Sequence, residues 1–250
     1  MIFSLLVDDW CIEINDECDW FKEYRLLIGG NRLERQHRKS FKVSMSICLH
    51  IGQGGLQVGA TYWDFMNHHH TILSQSVSTF YSYSYNHLQF PRALFIDTEP
   101  KVLKKIQSST VHALDDNIHI EHDGRGNNWA MGFYGHSRQK QQFHKGSNSS
   151  PEAILSSLRK EMERSDSMHG ILLTHSLAGG TGAGLGSRIV QEIRETYPKV
   201  YLMSIVLSPS LTGETPLQNY NAILTLKHIQ EHCDAIIYKS NDDLQKMMAY

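Results

Sequence analysis

With 250 residues, 40% of them hydrophobic and 20% charged, and a formal net charge of −2, the chain can build one large or two small globular domains and lacks the basic excess of a nucleic-acid surface. Its four cysteines, Cys11, Cys18, Cys48 and Cys233, form no CxxC pair, which fits reduced cytosolic thiols better than a disulfide framework. No apolar run approaches the ~20 residues needed to cross a bilayer, and "MIFSLLV" turns acidic too soon for a signal peptide.

Residues 1–44 set an acidic stretch, "DDWCIEINDECDW", before a basic one, "NRLERQHRKSFK", and show no regular period. From Met45 the pattern changes. "MSICLHI" predicts a buried strand, and "GQGGLQVG" a loop turning into a helix that runs through Phe65. Residues 67–90 are rich in Ser, Tyr and His and read as a long loop, inside which "FYSYSY" alternates like an edge strand. "RALFID" (92–97) predicts a second strand, and "EPKVLKKIQ" a short helix with Pro100 in its first turn. Asp123–Gly132, "DGRGNNWAMG", reads as a loop.

A Ser cap followed by Pro opens the helix "SPEAILSSLRKEMERSD", whose Ile154, Leu155, Leu158 and Met162 share one face. "GILLTHS" is the next strand, followed by the glycine-rich "LAGGTGAGLG" and the helix "GSRIVQEIRETYP" with an apolar stripe of Ile189, Val190 and Ile193. Strand "KVYLMSIVLSP", helix "LQNYNAILTLKHIQEHC" and strand "DAIIYKS" follow. Strands alternating with helices predict a Rossmann-like, doubly wound α/β fold: a mainly parallel sheet with helices on both faces and its ligand loops on one edge.

Five glycines within the nine residues Ala178–Gly186 cost backbone entropy, so something there needs bare backbone. A strand, glycines and a helix start in succession place unpaired N–H groups around one point, which suits a phosphate; a tight structural turn is the other reading. No Lys-Ser/Thr follows the glycines as in a P-loop, and Ser187 stands where a dinucleotide fingerprint has its third glycine. If phosphate is held by close backbone approach, a valine at Gly182 is expected to stand in its space. A helix end supplies about half a positive charge, which leaves a polyphosphate in need of a metal ion. Asp97 and Glu99, after a predicted strand, and the side-chain oxygen of Gln53 are the oxygen donors for Mg²⁺.

"AGGTGAGLG" resembles the glycine signature of tubulins and their prokaryotic relatives, and "GQGGLQVG", "DTEP", "GRGNNWAMG" and "SPSLTGETPLQNYN" fall in that family's order. "QNYNAILTLKHI" and "DTEPKVL" look more like the delta form than the alpha or beta forms. The resemblance implies a GTP/GDP and Mg²⁺ site. Its first loop falls on Gly52, Gln53, Gly54 and Gln57; its metal side on Gln53, Asp97 and Glu99; its γ-phosphate loop on Gly126 and Asn127, with Asn128 beside them. The phosphate cradle falls on Ser176, Ala178, Gly179, Gly180, Thr181 and Gly182, the ribose contacts on Glu214 and Gln218, and the base-reading asparagine on Asn241.

Some positions depart from the family pattern. Gly54 replaces a usual cysteine, Leu56 a usual asparagine, Ala178 a third glycine, and Gln218 an acid. The resemblance places residues 1–44 outside the domain, as a disordered or mispredicted leader with no face to dock, and residues 45–250 as a GTP-binding domain that is incomplete at its C-terminal end. It implies a cytoplasmic, cytoskeletal subunit of centrosome, centriole or basal body, partnered by other tubulin subunits and by neither nucleic acid nor membrane. No catalytic residue is assigned, because the family's water-activating acid comes from the next subunit. A scaffold that holds nucleotide without hydrolysing it, and a dinucleotide-dependent metabolic enzyme, are the alternatives.

Overall fold

The computed structural model describes residues 11–14, 45–68, 80–83, 89–102, 115–135, 150–165, 168–213 and 215–248. Its centre is a parallel sheet of six strands. These are β2 (Met45–Ile51), β5 (Ala93–Asp97), β6 (Ile118–Ile120), β7 (Met168–Ser176), β8 (Tyr201–Ser208) and β9 (Ala235–Ser240). Across the sheet they lie in the order β6-β5-β2-β7-β8-β9, and a seventh strand, β1 (Cys11–Ile14), runs antiparallel to β9. The chain starts in the middle, winds to one edge, returns and winds to the other. That is a doubly wound sheet, and its direction reverses between β2 and β7.

Apolar strands buried on both faces are what such a sheet requires, and all five residues of β5 are buried. On one face β2 and β5 present Cys48, Ala93 and Phe95 to helix α1 (Gly52–His68), through Leu56, Trp63 and Met66. On the other face Ile47, Leu49, Ile51, Leu94, Ile96, Ile171 and Leu173 meet two helices: Ile154 and Leu158 of α3 (Pro151–Glu163), and Ile189, Val190 and Ile193 of α4 (Gly186–Thr196). Ile229 of α5 (Gln218–His232) closes the same core over β8. Helices on both faces and a mainly parallel sheet are as expected.

Several local expectations are corrected. The first glycines do not make a loop: α1 begins at Gly52 directly after β2 and extends to His68. The predicted loop 123–132 gives way at Trp129 to helix α2 (Trp129–Tyr134), capped by the Asn128 carboxamide oxygen, which accepts from Ala130 N at 2.9 Å. The stretch 67–90 contains β3 (Tyr81–Tyr83), paired antiparallel with β4 (Gln89–Pro91), so the alternating aromatics do form a strand. Asn241–Met248 forms a further helix, α6. In residues 1–44 the described segment Cys11–Ile14 docks as an edge strand, where no docking face was expected. The α3 cap is as predicted: Ser150 Oγ accepts from Ala153 N at 3.2 Å, with Pro151 at the first helical position.

Candidate functional site

The winding direction brings the C-terminal ends of β2, β5, β6, β7, β8 and β9 to one edge, with β2 and β7 at its centre. There the chain leaves β2 through Gly52 at φ +72°, a left-handed backbone that favours glycine, and a Cβ on Gly52 would stand 2.7 Å from the Gly182 nitrogen. The start of α1 and the glycine segment therefore touch backbone to backbone.

The glycine segment is itself helical. Gly180–Leu185 forms a π-helical turn that continues without a break into α4. Such turns are rare and concentrate at functional sites. The helix starts after Gly179 with no side chain capping its first N–H groups, and a Cβ on Gly179 would meet nothing within 4 Å. Bare N–H groups, the positive helix end and open space on the same side form an anion seat.

Gly182 is closely packed within the fold. Its Cβ direction points at Ser176 N (3.0 Å), Ser176 O (3.2 Å) and Ile51 O (3.3 Å), back into the strand ends. A valine there collides with the fold first. The glycine richness thus combines close packing, as at Gly182, with openness, as at Gly179.

Asp97, at the end of β5, is 3% exposed, and its Oδ1 accepts from Thr98 N at 2.8 Å and Glu99 N at 3.3 Å. Burial raises its carboxyl to about 6, while the two backbone bonds pull the other way. Next to it, the Thr98 and Thr181 hydroxyls lie 2.5 Å apart and join the β5 loop to the glycine segment. Exposed Glu99 faces the third loop, its Oε1 lying 2.7 Å from where a Cβ on Gly124 would stand.

In that third loop Gly126 and Asn127 both adopt left-handed backbone, at φ 55° and 49°. The Arg125 guanidinium is buried in an ion pair with Glu121. The Asn221 carboxamide of α5 donates to both Asn127 O and Ala178 O, each at 2.7 Å. Ser176 Oγ accepts from Ala178 N at 3.2 Å and shapes the turn after β7.

Gln53 and Gln57 are exposed on the first turns of α1, and Gly54 lies over Leu207 and Ser176. Gln218 is buried and donates to Ser210 O at 3.3 Å, holding the loop after β8. Asn241 is exposed at the start of α6, and in the next position Asp242 accepts from Leu211 N at 2.8 Å. Glu214 lies outside the described residues. Gln53, Asp97, Glu99, Gly126, Asn127, Ser176, Ala178, Gly179, Thr181 and Asn241 all lie in the segments that follow, or in the last residues of, strands that end on this one edge.

Sequence reasoning passed over Thr98 and Asn221. The available signal at Asn221 was its spacing: with Thr225 it puts two polar residues, four apart, on the buried face of an otherwise ordinary helix. Among the described residues, no group of three or more His, Cys, Asp or Glu could hold a metal ion, and no helix is long and apolar enough to cross a membrane.

Comparison with known proteins finds relatives of this chain. Residues 46–249 match the family described as Tubulin/FtsZ family, GTPase domain. The chain is 30% identical to the Tubulin delta chain of Canis lupus familiaris over 221 residues, covering 81% of this chain and 47% of that protein. It is 32% identical to the Tubulin beta-1 chain of Homo sapiens over 212 residues, covering 78% and 45%, and 30% identical to the human Tubulin delta chain over 225 residues, covering 81% and 47%. The chain spans about half the length of the curated relatives it matches.

Proposed function

This chain belongs to the Tubulin/FtsZ family through its GTPase domain, and from that premise we propose that its sheet edge binds GTP and GDP with Mg²⁺. The observation that carries the proposal is the uncapped helix start after Gly179, open on its ligand side and placed where the sheet reverses direction. Gly52, Gln53, Gly54 and Gln57, at the start of α1, line one side of the nucleotide, and Ser176, Ala178, Gly179, Gly180, Thr181 and Gly182 form the phosphate cradle. Gly126 and Asn127 stand on the γ-phosphate side, Gln218 on the ribose side, where the family pattern also assigns Glu214, and Asn241 on the base side.

The donor set fits a magnesium nucleotide. About half a charge from the helix end cannot balance a triphosphate, and the buried Asp97 carboxyl, with exposed Glu99 and Gln53, offers oxygen donors for a hard cation. Bound Mg²⁺ would supply charge neutralisation at the phosphates. Asp97 is held in place by the Thr98 and Glu99 amides, and the Thr98–Thr181 pair fixes its loop against the cradle.

We further propose that the protein is a cytoplasmic cytoskeletal subunit of the delta type, associated with centriole, centrosome or basal body and partnered by other tubulin subunits. The delta reading rests on the likeness of "QNYNAILTLKHI" and "DTEPKVL" to the delta form; overall identity is 30% to the delta chains and 32% to the beta-1 chain. GTP hydrolysis would be completed by a group from a neighbouring subunit. Consistent with this, Glu121 is tied up by Arg125, Asp97 by backbone amides, and Asp242 by Leu211.

The test is retention of labelled GTP by the full chain in competition with ATP and NAD, with and without EDTA. GTP should be held selectively and more weakly after chelation. Selective retention of NAD would overturn the proposal in favour of a dinucleotide enzyme.

A further inference from the structure

Asn221 is 3% exposed near the start of α5, and its carboxamide is bonded in three directions. Nδ2 donates to Asn127 O and Ala178 O, both at 2.7 Å, and Oδ1 accepts from Trp129 N at 3.0 Å. The two carbonyls and one N–H around it determine which way the carboxamide points. One side chain thus holds the loop Gly126–Trp129 and the turn that opens the glycine helix, with no covalent link closer than the intervening strands.

The backbone at the tie is unusual. Asn127, at φ 49°, is the one non-glycine residue with positive φ among the described residues, and it follows Gly126 at φ 55°. Such a conformation persists where its surroundings over-determine it. The Asn221–Asn127 bond on one side and the Asn128 cap of α2 on the other supply that constraint. On the far side of Asn221, Ala178 O lies two residues before the uncapped start of the glycine helix. From the next turn of α5, Thr225 Oγ1 donates to Asn221 O at 2.7 Å.

We infer that Asn221 is a positioning residue that sets the spacing between the Gly126–Asn127 loop and the glycine cradle, and through it the preference for a nucleoside triphosphate over a diphosphate. This rests on the GTP reading above, in which the cradle holds phosphates common to both nucleotides and the Gly126–Asn127 loop meets only the third. Loosening the tie lets the second loop drift while leaving the cradle on its own helix. Triphosphate affinity therefore depends on Asn221 more than diphosphate affinity does.

The experiment compares the full chain with Asn221→Ala, Asn221→Asp and Thr225→Val, measuring Kd for fluorescent GTP and GDP and amide hydrogen exchange without nucleotide. Asn221→Ala deletes both donors; Asn221→Asp keeps the acceptor for Trp129 but turns an oxygen toward two carbonyls. GTP affinity should fall about tenfold in Asn221→Ala, as misplaced binding groups cost affinity steeply, and further in Asn221→Asp, with GDP affinity changing no more than about threefold. Thr225→Val should lower thermal stability without altering the GTP/GDP ratio.

In the nucleotide-free Asn221→Ala chain, peptides covering 124–132 and 177–184 should exchange faster together. Equal losses for both nucleotides, an unchanged ratio, or faster exchange confined to α5 would overturn the inference. If Asn221→Asp does not fold, Asn221→Ala decides. A wild-type chain that holds no guanine nucleotide would sink the GTP reading, and the exchange data would still show whether Asn221 ties the two segments.

Discussion

Gly52 and Gly182 meet backbone to backbone, with room for no side chain between them: a Cβ on the first would stand 2.7 Å from the nitrogen of the second. Gly52→Ala adds this clash to a left-handed φ of +72°, which alone costs an alanine roughly 1–2 kcal/mol. Denaturant unfolding should show a loss of about 2–4 kcal/mol. Gly182→Val should also destabilise the fold, because its Cβ aims at the Ser176 and Ile51 backbones. Gly179→Val is the contrasting case. Gly179 has extended backbone and open space, so its variant should keep its melting temperature and lose nucleotide affinity. A Gly179→Val chain that is folded and binds GTP normally would move the phosphates elsewhere.

Acid should unfold the chain through two histidines. Burial pushes His50 down to about 3 and His175 down to about 4, both below the unfolded value near 6.5. Between these values the unfolded state holds more protons, so the stability is complete above about pH 6.5 and is lost as pH falls toward 4 and then 3. Asp97 acts in the opposite sense. Its carboxyl is raised to about 6, so it favours the fold as pH falls from about 6 toward its unfolded value near 4. Two imidazoles moved down outweigh one carboxyl moved up, a net loss on the order of a few kcal/mol. His50→Gln keeps an acceptor for Trp63 Nε1, now 3.0 Å from His50 Nε2, and should lower the acid midpoint seen by circular dichroism. An unchanged midpoint would show that His50 is not a source of acid lability.

Removing residues 1–44 should have a structural cost. Cys11–Ile14 pairs with Tyr238–Ala235 along the outer edge of β9, and an uncovered edge strand invites association. A chain beginning at Met45 should lose about 1–2 kcal/mol, the scale of one or two net hydrogen bonds, and should self-associate more readily in light scattering. Identical melting and a monodisperse shorter chain would mean that β1 contributes nothing to the domain.

Turnover should depend on concentration. With Asp97 bonded to the Thr98 amide, Glu121 bonded to Arg125 and Asp242 bonded to Leu211, hydrolysis is expected to need a group and a water-excluding surface from a neighbour. Single-turnover measurements on the full chain should give a rate close to buffer at high dilution, rising as the chain is concentrated or a partner tubulin is added. Brisk hydrolysis independent of concentration would place the catalytic group within these 250 residues.

The sequence by itself determined the elements that local chemistry controls. Apolar runs marked β2, β5, β7, β8 and β9; the Ser150–Pro151 start and the Ile189, Val190, Ile193 stripe marked α3 and α4; and alternating elements implied a parallel sheet, with its loops on one edge. These signals are legible because each lies within a few residues along the chain. Tertiary structure decided what depends on distant neighbours. The first glycines are the start of α1 because Gly52 closes against Gly182, 130 positions away in the chain, a contact no local pattern carries. Gly179 and Gly182 look alike in sequence, yet one faces open space and the other the strand ends, since only the folded backbone gives a Cβ its direction. Asn221 reads as an ordinary polar residue in a helix until α5 packs across the sheet edge and brings Asn127 and Ala178, 94 and 43 residues away, within 2.7 Å of one carboxamide nitrogen.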